Sequence, residues 1–436
     1  MKSVWSDFER SLSFNSLEGD FKTNTLIIGG GIAGILCSHF LRSAGIDCAV
    51  VESNRIFSGV TENTTAKISI QHGLIFHRVL HSFGEEKARL FLKAHQKALT
   101  EYEKLFEKIS CDYEKKDSFV YSLTDRRKIE KEIEALDRLG LKADFLEEVD
   151  LPLKIKGAVR IKNQGQFHPL KFAMGISEDL LIFENTKVLE LKKNKAVTNR
   201  GEIFFENLIV ATHFPIFNKH GLYPLKMFQH RSYVVALEAK KNVNGIYVDE
   251  DEKGLSFRNY KDFLILGGGA HRTGKSGGGW RELEAFAEKN FPEAEISYRW
   301  AAQDCMTLDG VSYIGQYSKN TPNVYVTTGF NKWGFTSAMV SALLLSDLIS
   351  GKESPFSSVF SPSRTMLRPQ LAVNTFESLL GLLTPTVPRC PHLGCALKYN
   401  KEEHSWDCSC HGSRFNEEGK LLDSPATADL KKKPKK

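Results

Sequence analysis

The segment Thr25–Glu52 constrains the fold of this chain more than any other part of the sequence. A short apolar run leads into Gly29-Gly30-Gly31-Ile32-Ala33-Gly34, an apolar-periodic stretch follows, and a second apolar run ends at Glu52. The order is typical of strand, glycine turn, helix, strand and acidic residue, with the glycines at G-x-G-x-x-G spacing. The sequence therefore predicts a dinucleotide site in a βαβ unit. The alternative is a glycine-rich turn in an ordinary βαβ unit.

Each glycine of this motif has a physical reason. Gly29 permits the tight turn, Gly31 leaves room for a pyrophosphate, and Gly34 lets the helix pack closely on the sheet. The helix N-terminus would present unpaired N–H groups to the phosphates. Glu52, with Ser53 beside it, is placed to accept both ribose hydroxyls, and its charge disfavours a 2′-phosphate.

The composition is that of an ordinary globular protein. The chain has 436 residues, of which 41% are hydrophobic and 26% charged, enough for two or three domains. No apolar run reaches transmembrane length, and Asp7 and Glu9 occupy the place of a signal peptide's apolar core. We therefore expect a cytoplasmic protein without integral membrane association.

The net charge and the positions of the cysteines bear on the possible partners and on metal binding. The net charge of +6 is small for this length, and part of it lies in the basic tail 431–436, which we interpret as a solvated end. We expect no nucleic-acid partner. Four of the eight cysteines fall within Cys390–Cys410, and in a reducing compartment such a cluster indicates metal binding.

Periodicity predicts the remaining elements. Apolar residues at three- and four-residue steps predict helices over Gly84–Ile109 and Asp125–Leu139, the second ending at Gly140. Closely spaced strands between Ser232 and Leu266 predict an antiparallel sheet. The fold class is therefore α/β, with an antiparallel sheet interleaved with the dinucleotide-binding unit.

The first 350 residues resemble the D-amino-acid-oxidase-like family of FAD-dependent oxidoreductases. The resemblance rests on Gly29–Glu52, on the loop Thr64-Thr65-Ala66-Lys67, on Ala211-Thr212 at a strand end, and on two C-terminal stretches. These stretches are Asp309-Gly310-Val311-Ser312-Tyr313-Ile314-Gly315 after Trp300, and Thr327-Thr328-Gly329-Phe330. The resemblance implies bound FAD, a flavin-binding sheet and a second sheet that covers the flavin.

The resemblance also assigns roles to particular residues. It places FAD against Gly29, Gly31, Gly34, Glu52, Ser53, Thr64, Thr65, Ala66, Val188, Ala211, Thr212, Gly329 and Phe330. Arg258 is expected over the flavin, where it would stabilise the reduced ring or bind a substrate carboxylate; a sheet-edge arginine is the alternative. His271 and Lys67 are the other candidate catalytic residues of the same pocket.

A second resemblance covers the C-terminal cysteines. Cys390-Pro391-His392 and Cys408-Ser409-Cys410-His411, separated by 15 residues, resemble the Rieske iron–sulfur family. The family pattern implies a [2Fe-2S] cluster with Cys390 and Cys408 on one iron and His392 and His411 on the other. It further implies that Ser413 hydrogen-bonds a cluster sulfur and that Cys395 and Cys410 form a disulfide.

Two points qualify this second match. A Cys₂His₂ zinc site is the competing interpretation, but it leaves the two extra cysteines and Gly412-Ser413 without a role. Rieske domains usually have several strands before the first ligand pair, and here the base looks truncated, because only a short stretch separates Arg364 from Cys390.

These patterns give the following domain boundaries. Residues 1–352 form the FAD-dependent module, with flavin-binding parts at about 22–75, 150–225 and 320–352 and a covering part at about 226–318. Residues 353–386 are a linker with one short helix near Asn374–Leu383, and residues 387–430 are the Rieske-type domain.

The implied function is oxidation of an amine or amino acid. Because a Rieske cluster carries one electron at a time, its fusion to a flavin module suggests a dehydrogenase that passes electrons to a separate acceptor. A reductase in which the cluster feeds the flavin, and a redox sensor without turnover, are the alternatives. The substrate and the acceptor stay open.

Overall fold

The computed structural model describes residues 2–217, 220–239, 241–251, 254–385 and 388–431. The strands are β1 (Phe21–Lys22), β2 (Thr25–Ile28), β3 (Cys48–Val51), β4 (Lys67–Ile68), β5 (Glu114–Ser122), β6 (Asp144–Leu146), β7 (Gly157–Gln166), β8 (Ile182–Phe183), β9 (Val188–Lys192), β10 (Lys195–Thr198), β11 (Glu202–Phe204), β12 (Asn207–Val210), β13 (Met227–Glu238), β14 (Ile246–Asp249), β15 (Ser256–Tyr260), β16 (Phe263–Arg272), β17 (Glu295–Thr307), β18 (Tyr313–Gln316), β19 (Val324–Thr328), β20 (Leu397–Asn400), β21 (Ser405–Cys408), β22 (Arg414–Asn416) and β23 (Leu421–Asp423). The helices are α1 (Ile32–Ser43), α2 (Ile75–Phe83), α3 (Glu85–Phe106), α4 (Arg126–Leu139), α5 (Pro169–Ser177), α6 (Tyr223–Lys226), α7 (Gly279–Asn290), α8 (Gly334–Ile349), α9 (Ser357–Phe360) and α10 (Pro369–Leu383).

The nucleotide-binding sheet has six strands in the order β18-β19-β12-β2-β3-β8. All neighbours pair in parallel except β18, which runs antiparallel to β19. The sequence pattern of strand, glycine turn, helix and strand appears as β2, α1 and β3, as expected. β2 and β3 are buried along their whole length, which explains their unbroken apolar runs.

The covering sheet has nine strands: eight follow the order β17-β13-β16-β15-β14-β5-β7-β4, and β6 pairs with β7 at the side. The sequence predicts that the covering part consists of residues 226–318, but the sheet also includes β4, β5, β6 and β7. β5 pairs antiparallel with β7, with Glu114 opposite Gln166 and Ser122 opposite Gly157. β5 also pairs in parallel with β14, where Ser118–Tyr121 lie opposite Ile246–Asp249. The range 150–225, predicted to bind the flavin, therefore includes β7, which is a strand of the covering sheet. The sequence did not predict this, because the alternation of residues within a strand does not reveal its distant pairing partner.

Local signals fixed the helix boundaries well. The Asp125 side chain accepts a hydrogen bond from the Arg127 N–H at 2.9 Å and so caps α4. Gly140, at φ +79°, ends the same helix in the left-handed conformation. α3 is slightly shorter than the predicted Gly84–Ile109, since the chain leaves the helix after Phe106.

The C-terminal domain is a four-stranded antiparallel sheet in the order β20-β21-β22-β23. We call it the cluster domain. The stretch predicted as a linker, 353–386, is more structured than expected: Val359 and Phe360 of α9 are buried, and α10 is longer than the predicted Asn374–Leu383. Of the basic tail, residues 432–436 lie outside the described part of the chain. Within the described residues, the helices are all too short or too polar to cross a membrane.

Candidate active site and metal centre

A cavity of about 800 Å³ opens between the nucleotide-binding sheet and the covering sheet. Its floor includes the glycine turn after β2, and Thr64 and Thr65 form part of its wall. Ser232 and Met306 line it from the covering sheet, and Ala426 from the cluster domain. The cavity is large enough for a dinucleotide and a small substrate together.

The glycine turn shows which glycines the fold requires and which leave space. Gly29 has φ +114°, and a Cβ there would lie 2.5 Å from the Ala211 carbonyl oxygen. A Cβ on Gly34 would lie 2.0 Å from the Gly29 carbonyl oxygen. A Cβ on Gly31 would meet only the Thr61 hydroxyl, at 3.7 Å. Gly31 thus borders open space at the N-terminus of α1, which fits a bound pyrophosphate.

Glu52 is held at the end of β3, at the edge of the cavity. Its Oε2 accepts the Gly30 N–H at 2.8 Å, and its Oε1 accepts from the Ser53 hydroxyl and the Asn54 N–H, both at 2.9 Å. The carboxylate is therefore fixed in orientation before any ligand arrives. This is the placement expected of an acid that receives ribose hydroxyls.

The structure brings most of the predicted cofactor residues to one cavity. The predicted residues that line it are Gly29, Gly31, Glu52, Ser53, Thr64, Thr65, Lys67, Val188, Ala211, Thr212 and Phe330. Gly34, Ala66 and Gly329 lie behind this lining, and Gly329 is a turn residue with φ +71°. Predicted residues from five separate stretches of the sequence thus meet around a single space.

Two predicted catalytic residues lie elsewhere. Arg258 is buried, does not line the cavity, and donates to the carbonyl oxygens of Thr65 at 2.7 Å and Ala66 at 2.5 Å. It therefore supports the Thr64–Lys67 loop from behind. His271 also lies outside the lining: its Nε2 is 3.1 Å from the Tyr233 hydroxyl, on the side of the covering sheet that faces the cluster domain.

Lys67 and Asp304 are titratable residues that line the cavity. Burial, together with nearby Arg258 and Lys332, lowers the pKa of Lys67 to about 7. Burial raises the pKa of Asp304, an effect that Lys332 and other cations oppose. Asp304 was not among the predicted site residues, and the signal that could have found it is an acid within the mostly buried half of β17, Trp300–Thr307.

The predicted metal ligands converge at the edge of the cluster domain. The Cys390 thiol hydrogen-bonds the Cys408 sulfur, and the rings of His392 and His411 lie 4.9 Å apart between centroids. The Nδ1 atom of His411 is buried and has no hydrogen-bond partner among the described residues. Burial lowers the pKa of both histidines, so they stay neutral, as metal ligands must be. Two thiols and two neutral imidazoles are the donor set of a Rieske cluster.

The accessory residues lie beside these ligands. The Ser413 hydroxyl hydrogen-bonds Cys390 and also accepts the Ala426 N–H at 3.0 Å. The sulfurs of Cys395, Cys408 and Cys410 all lie within 4.8 Å of one another. Every cysteine is a free thiol in the structure, so the Cys395–Cys410 disulfide stays a prediction.

The loop that carries the predicted ligands Cys408 and His411 docks on the covering sheet, which the sequence did not indicate. Gln229 of β13 donates to the His411 carbonyl oxygen at 2.9 Å, and Gln303 of β17 donates to the Gly412 carbonyl oxygen at 2.9 Å. Arg272 of β16 donates to the Ser409 and Cys410 carbonyl oxygens at 3.1 and 3.2 Å. Three adjacent strands of the covering sheet therefore hold the cluster domain through its ligand-bearing loop.

Neighbouring residues of the same strands face the cavity. Phe228 and Ser232 alternate with Gln229 and Arg231 along β13, and they line the cavity, as does Asp304 beside Gln303 on β17. Because successive side chains of a strand point to opposite faces, one layer of strands separates the cavity from the ligand loops. Polar residues on both faces of a buried strand were the signal for two functional neighbours.

The family models divide the chain as the geometry does. The model of the FAD-dependent oxidoreductases (DAO) matches residues 24–348, and the Rieske [2Fe-2S] domain model matches residues 372–434. The first match covers most of the chain. The second contains all four predicted metal ligands and α10 from residue 372 onward.

Relatives and solved structures agree with this division. The chain is 32% identical to the Rieske 2Fe-2S iron–sulfur protein YhfW of Bacillus subtilis, over 99% of this chain and 97% of that protein. It is 22% identical to the gamma-glutamylputrescine oxidoreductase of Escherichia coli, over 79% and 87%. Glycine oxidase from Geobacillus kaustophilus superposes with a TM-score of 0.67 at 19% identity, over 79% of this chain and 100% of that one, and so shares the fold. The chain belongs to the DAO family of FAD-dependent oxidoreductases and carries a C-terminal Rieske domain, so its cofactors are FAD and a [2Fe-2S] cluster.

Proposed function

We propose that this protein is a dehydrogenase that oxidises an amine or an amino acid and passes the electrons outward through its Rieske cluster to a separate acceptor. The observation that carries the proposal is the single layer of strands between the cavity and the ligand loops. β13 and β17 line the cavity with Ser232 and Asp304, and they hold the His411 and Gly412 carbonyl oxygens with Gln229 and Gln303. Two redox groups that share one layer of strands are well placed for electron transfer.

The relatives support the substrate class. The names of two similar proteins are gamma-glutamylputrescine oxidoreductase and glycine oxidase, an enzyme of an amine and an enzyme of an amino acid. Each alignment covers 79% of this chain, and the family model of the flavin module covers residues 24–348. The substrate proposal therefore rests on the module and not on the cluster domain.

The residues of this chain orient the substrate. When bound, the flavin accepts a hydride from the substrate carbon, and the cluster carries single electrons. Asp304 is placed to pair with the cationic nitrogen of an amine on the covering-sheet side of the cavity. Lys67, with its pKa near 7, can take up or release a proton there at neutral pH.

The structure changes the proposed roles of the other two candidates. Arg258 acts as a positioning residue, because its guanidinium holds the carbonyl oxygens of Thr65 and Ala66 and thereby sets the course of the loop that carries Lys67. His271 acts at the contact with the cluster domain, where Tyr233 joins it to Glu403. We do not place either residue against the substrate.

The experiment that tests the proposal separates the reduction of the flavin by substrate from the transfer of electrons to the acceptor. The variant His411→Ala removes one predicted cluster ligand. It should retain FAD and single-turnover bleaching of the flavin by substrate, and it should lose steady-state reduction of one-electron acceptors. His404→Ala is the matched control, since the His404 side chain is 70% exposed on the same domain. The substrate is found first by anaerobic titration with a panel of amines and amino acids.

Other outcomes decide against the proposal. Normal turnover of His411→Ala with every acceptor would remove the cluster from the catalytic path. Flavin that no amine or amino acid bleaches would favour a redox sensor. If the reduced cluster reduces the flavin and no amine bleaches it, electrons would flow in the reverse direction, from the cluster to the flavin.

A further inference from the structure

Helix α10 turns its polar side inward, which is the reverse of an ordinary surface helix. Its buried residues are Asn374 and Gly381. Asn374 accepts from Arg272 at 2.9 Å and donates to the Leu225 carbonyl oxygen at 3.2 Å. The only charged residue of the helix, Glu377, pairs with Lys275 at 2.7 Å and is 16% exposed. Polar contacts therefore attach α10 to the protein.

The side that α10 turns to solvent is apolar. Phe376 is 60% exposed, Leu379 52% and Leu383 78%, and Leu367 just before the helix is 84% exposed. The outer face of α10 consists of Leu367, Val373, Phe376, Leu379, Leu380, Leu382 and Leu383. Single exposed leucines are common, but a contiguous apolar face of this kind marks an interaction site.

The inner side of α10 lies against the segments that carry the predicted cluster ligands. A Cβ on Gly381 would lie 2.4 Å from the Cys410 sulfur, and the Ala396 N–H donates to the Gly381 carbonyl oxygen at 2.8 Å. Leu393, next to the ligand His392, is 47% exposed. Whatever covers the outer face therefore comes within one helix of the ligand loops.

Two arginines mark the ends of the helix. Arg368 lines a groove with Leu367, Phe376 and Leu379; its Nε atom is buried and its guanidinium lies 5.3 Å from the centroid of the Phe83 ring. Arg389, at the other end, donates to the carbonyl oxygens of Gly381, Leu382, Thr384 and Gly394. The outer face thus has a cation at each end and no carboxylate between them.

We propose that the outer face of α10 docks this protein on the surface of an anionic lipid bilayer. Apolar side chains flanked by arginines fit the boundary between acyl chains and phosphate headgroups. The helix has 15 residues, fewer than a membrane span needs, so it lies in the interface. The net charge of +6 favours the same surface.

Charge argues against a second copy of this chain as the occupant. Two α10 helices packed antiparallel across a two-fold axis would bring Arg368 of one copy towards Arg389 of the other. The outer face carries no carboxylate that could neutralise this pair, since Glu377 is held inward by Lys275. Lipid phosphates supply the missing negative charge.

The test is co-sedimentation of the full-length holoprotein with vesicles of phosphatidylcholine, with and without phosphatidylglycerol. We expect binding to the anionic vesicles that falls by more than about tenfold in the double variant Phe376→Ser, Leu379→Ser. Leu189→Ser is the matched control, because Leu189 is 60% exposed on β9 and should not change binding. Arg368→Gln should reduce the preference for phosphatidylglycerol. Unchanged FAD absorbance shows that the variants are folded.

A second readout follows insertion itself. In the variant Phe376→Trp, the tryptophan emission should shift to the blue when anionic vesicles are added. The proposal is overturned if the wild-type protein does not bind anionic vesicles, or if the double variant binds as well as wild type. It is also overturned if the wild type is a dimer that the double variant dissociates, since the occupant is then a second copy. Binding needs no turnover, so failure here leaves flavin bleaching by substrate, and with it the proposed function, to be judged separately.

Discussion

Arg231 of the covering sheet and Glu403 of the cluster domain form a buried ion pair across the domain contact. The Arg231 Nε lies 2.8 Å from the Glu403 Oε1, and the two side chains are 9% and 2% exposed. Arg414 donates to the same carboxylate from within the cluster domain at 2.9 Å. Burial alone would raise the pKa of Glu403, but the two arginines outweigh it and hold this pKa at about 2. The pair therefore couples the two domains.

Removal of Glu403 should loosen this contact. Glu403→Ala leaves the guanidinium of Arg231 buried without its partner, and breaking a buried pair in this way costs about 3–5 kcal/mol. We expect this loss in the free energy of unfolding, measured with urea. The neighbouring variant Glu402→Ala is the control, because its partner Arg281 is 81% exposed and the expected change is below about 1 kcal/mol. Equal effects of the two variants would contradict the coupling.

The sequence predicted the parts of this protein whose signals are local. The glycine turn at Gly29–Gly34 and the end of α4 at Gly140 depend on neighbours in the chain, and both are present as expected. The ion pair of Arg231 and Glu403 joins residues 172 positions apart. Such a pair leaves no periodic trace in either segment.

The errors have the same physical origin. β7 pairs with β5 and so belongs to the covering sheet, but its own pattern is equally compatible with the flavin-binding part. The family resemblance predicts Arg258 over the flavin, whereas its contacts with the Thr65 and Ala66 carbonyl oxygens depend on a loop almost 200 residues earlier in the chain. A cytoplasmic location stays a prediction.

Lys67 gives a prediction about pH. Its folded pKa of about 7 lies below the usual value of 10.5. The unfolded chain therefore binds more protons than the folded one between these values, and stability rises with pH across this window. In Lys67→Met this rise should be smaller, as measured by the difference in Tm between pH 7 and pH 10. A variant whose Tm follows the same pH profile as wild type would show that Lys67 is charged in the folded protein.

Gly31 and Gly34 should respond differently to substitution. A side chain at Gly31 projects into the cavity and meets only Thr61 at 3.7 Å, so Gly31→Val should fold and lose FAD. A Cβ at Gly34 would meet the Gly29 carbonyl oxygen at 2.0 Å, so Gly34→Ala should lose stability as well as FAD. Flavin absorbance and thermal unfolding separate the two results. Full FAD content in folded Gly31→Val would refute the assignment of the pyrophosphate site.

Cys395 and Cys410 give a prediction about redox state. Their sulfurs lie within 4.8 Å of each other next to Gly381, close enough to bond after a small movement. If they pair, they brace the two ligand loops of a small domain. Alkylation of the native holoprotein followed by mass mapping should then find that neither Cys395 nor Cys410 is alkylated. After denaturation without reduction, the control Cys111, a buried thiol elsewhere in the chain, should be alkylated. Free alkylation of both Cys395 and Cys410 in the unfolded, unreduced protein would refute the disulfide.

The metal content decides between the Rieske cluster and a zinc site. Two cysteines and two histidines can hold either, but a [2Fe-2S] cluster requires about two iron and two acid-labile sulfide atoms per chain, whereas zinc would bind as one atom without sulfide. After anaerobic purification we expect iron and sulfide, and their loss in His392→Ala. His404→Ala should keep both, since its side chain is 70% exposed. The Ser413 hydroxyl hydrogen-bonds Cys390, so Ser413→Ala should keep the iron and lower the reduction potential, because the cluster loses a hydrogen bond that favours its reduced form. One zinc atom per chain, with neither iron nor sulfide, would assign a structural site and remove the route for electrons through β13 and β17.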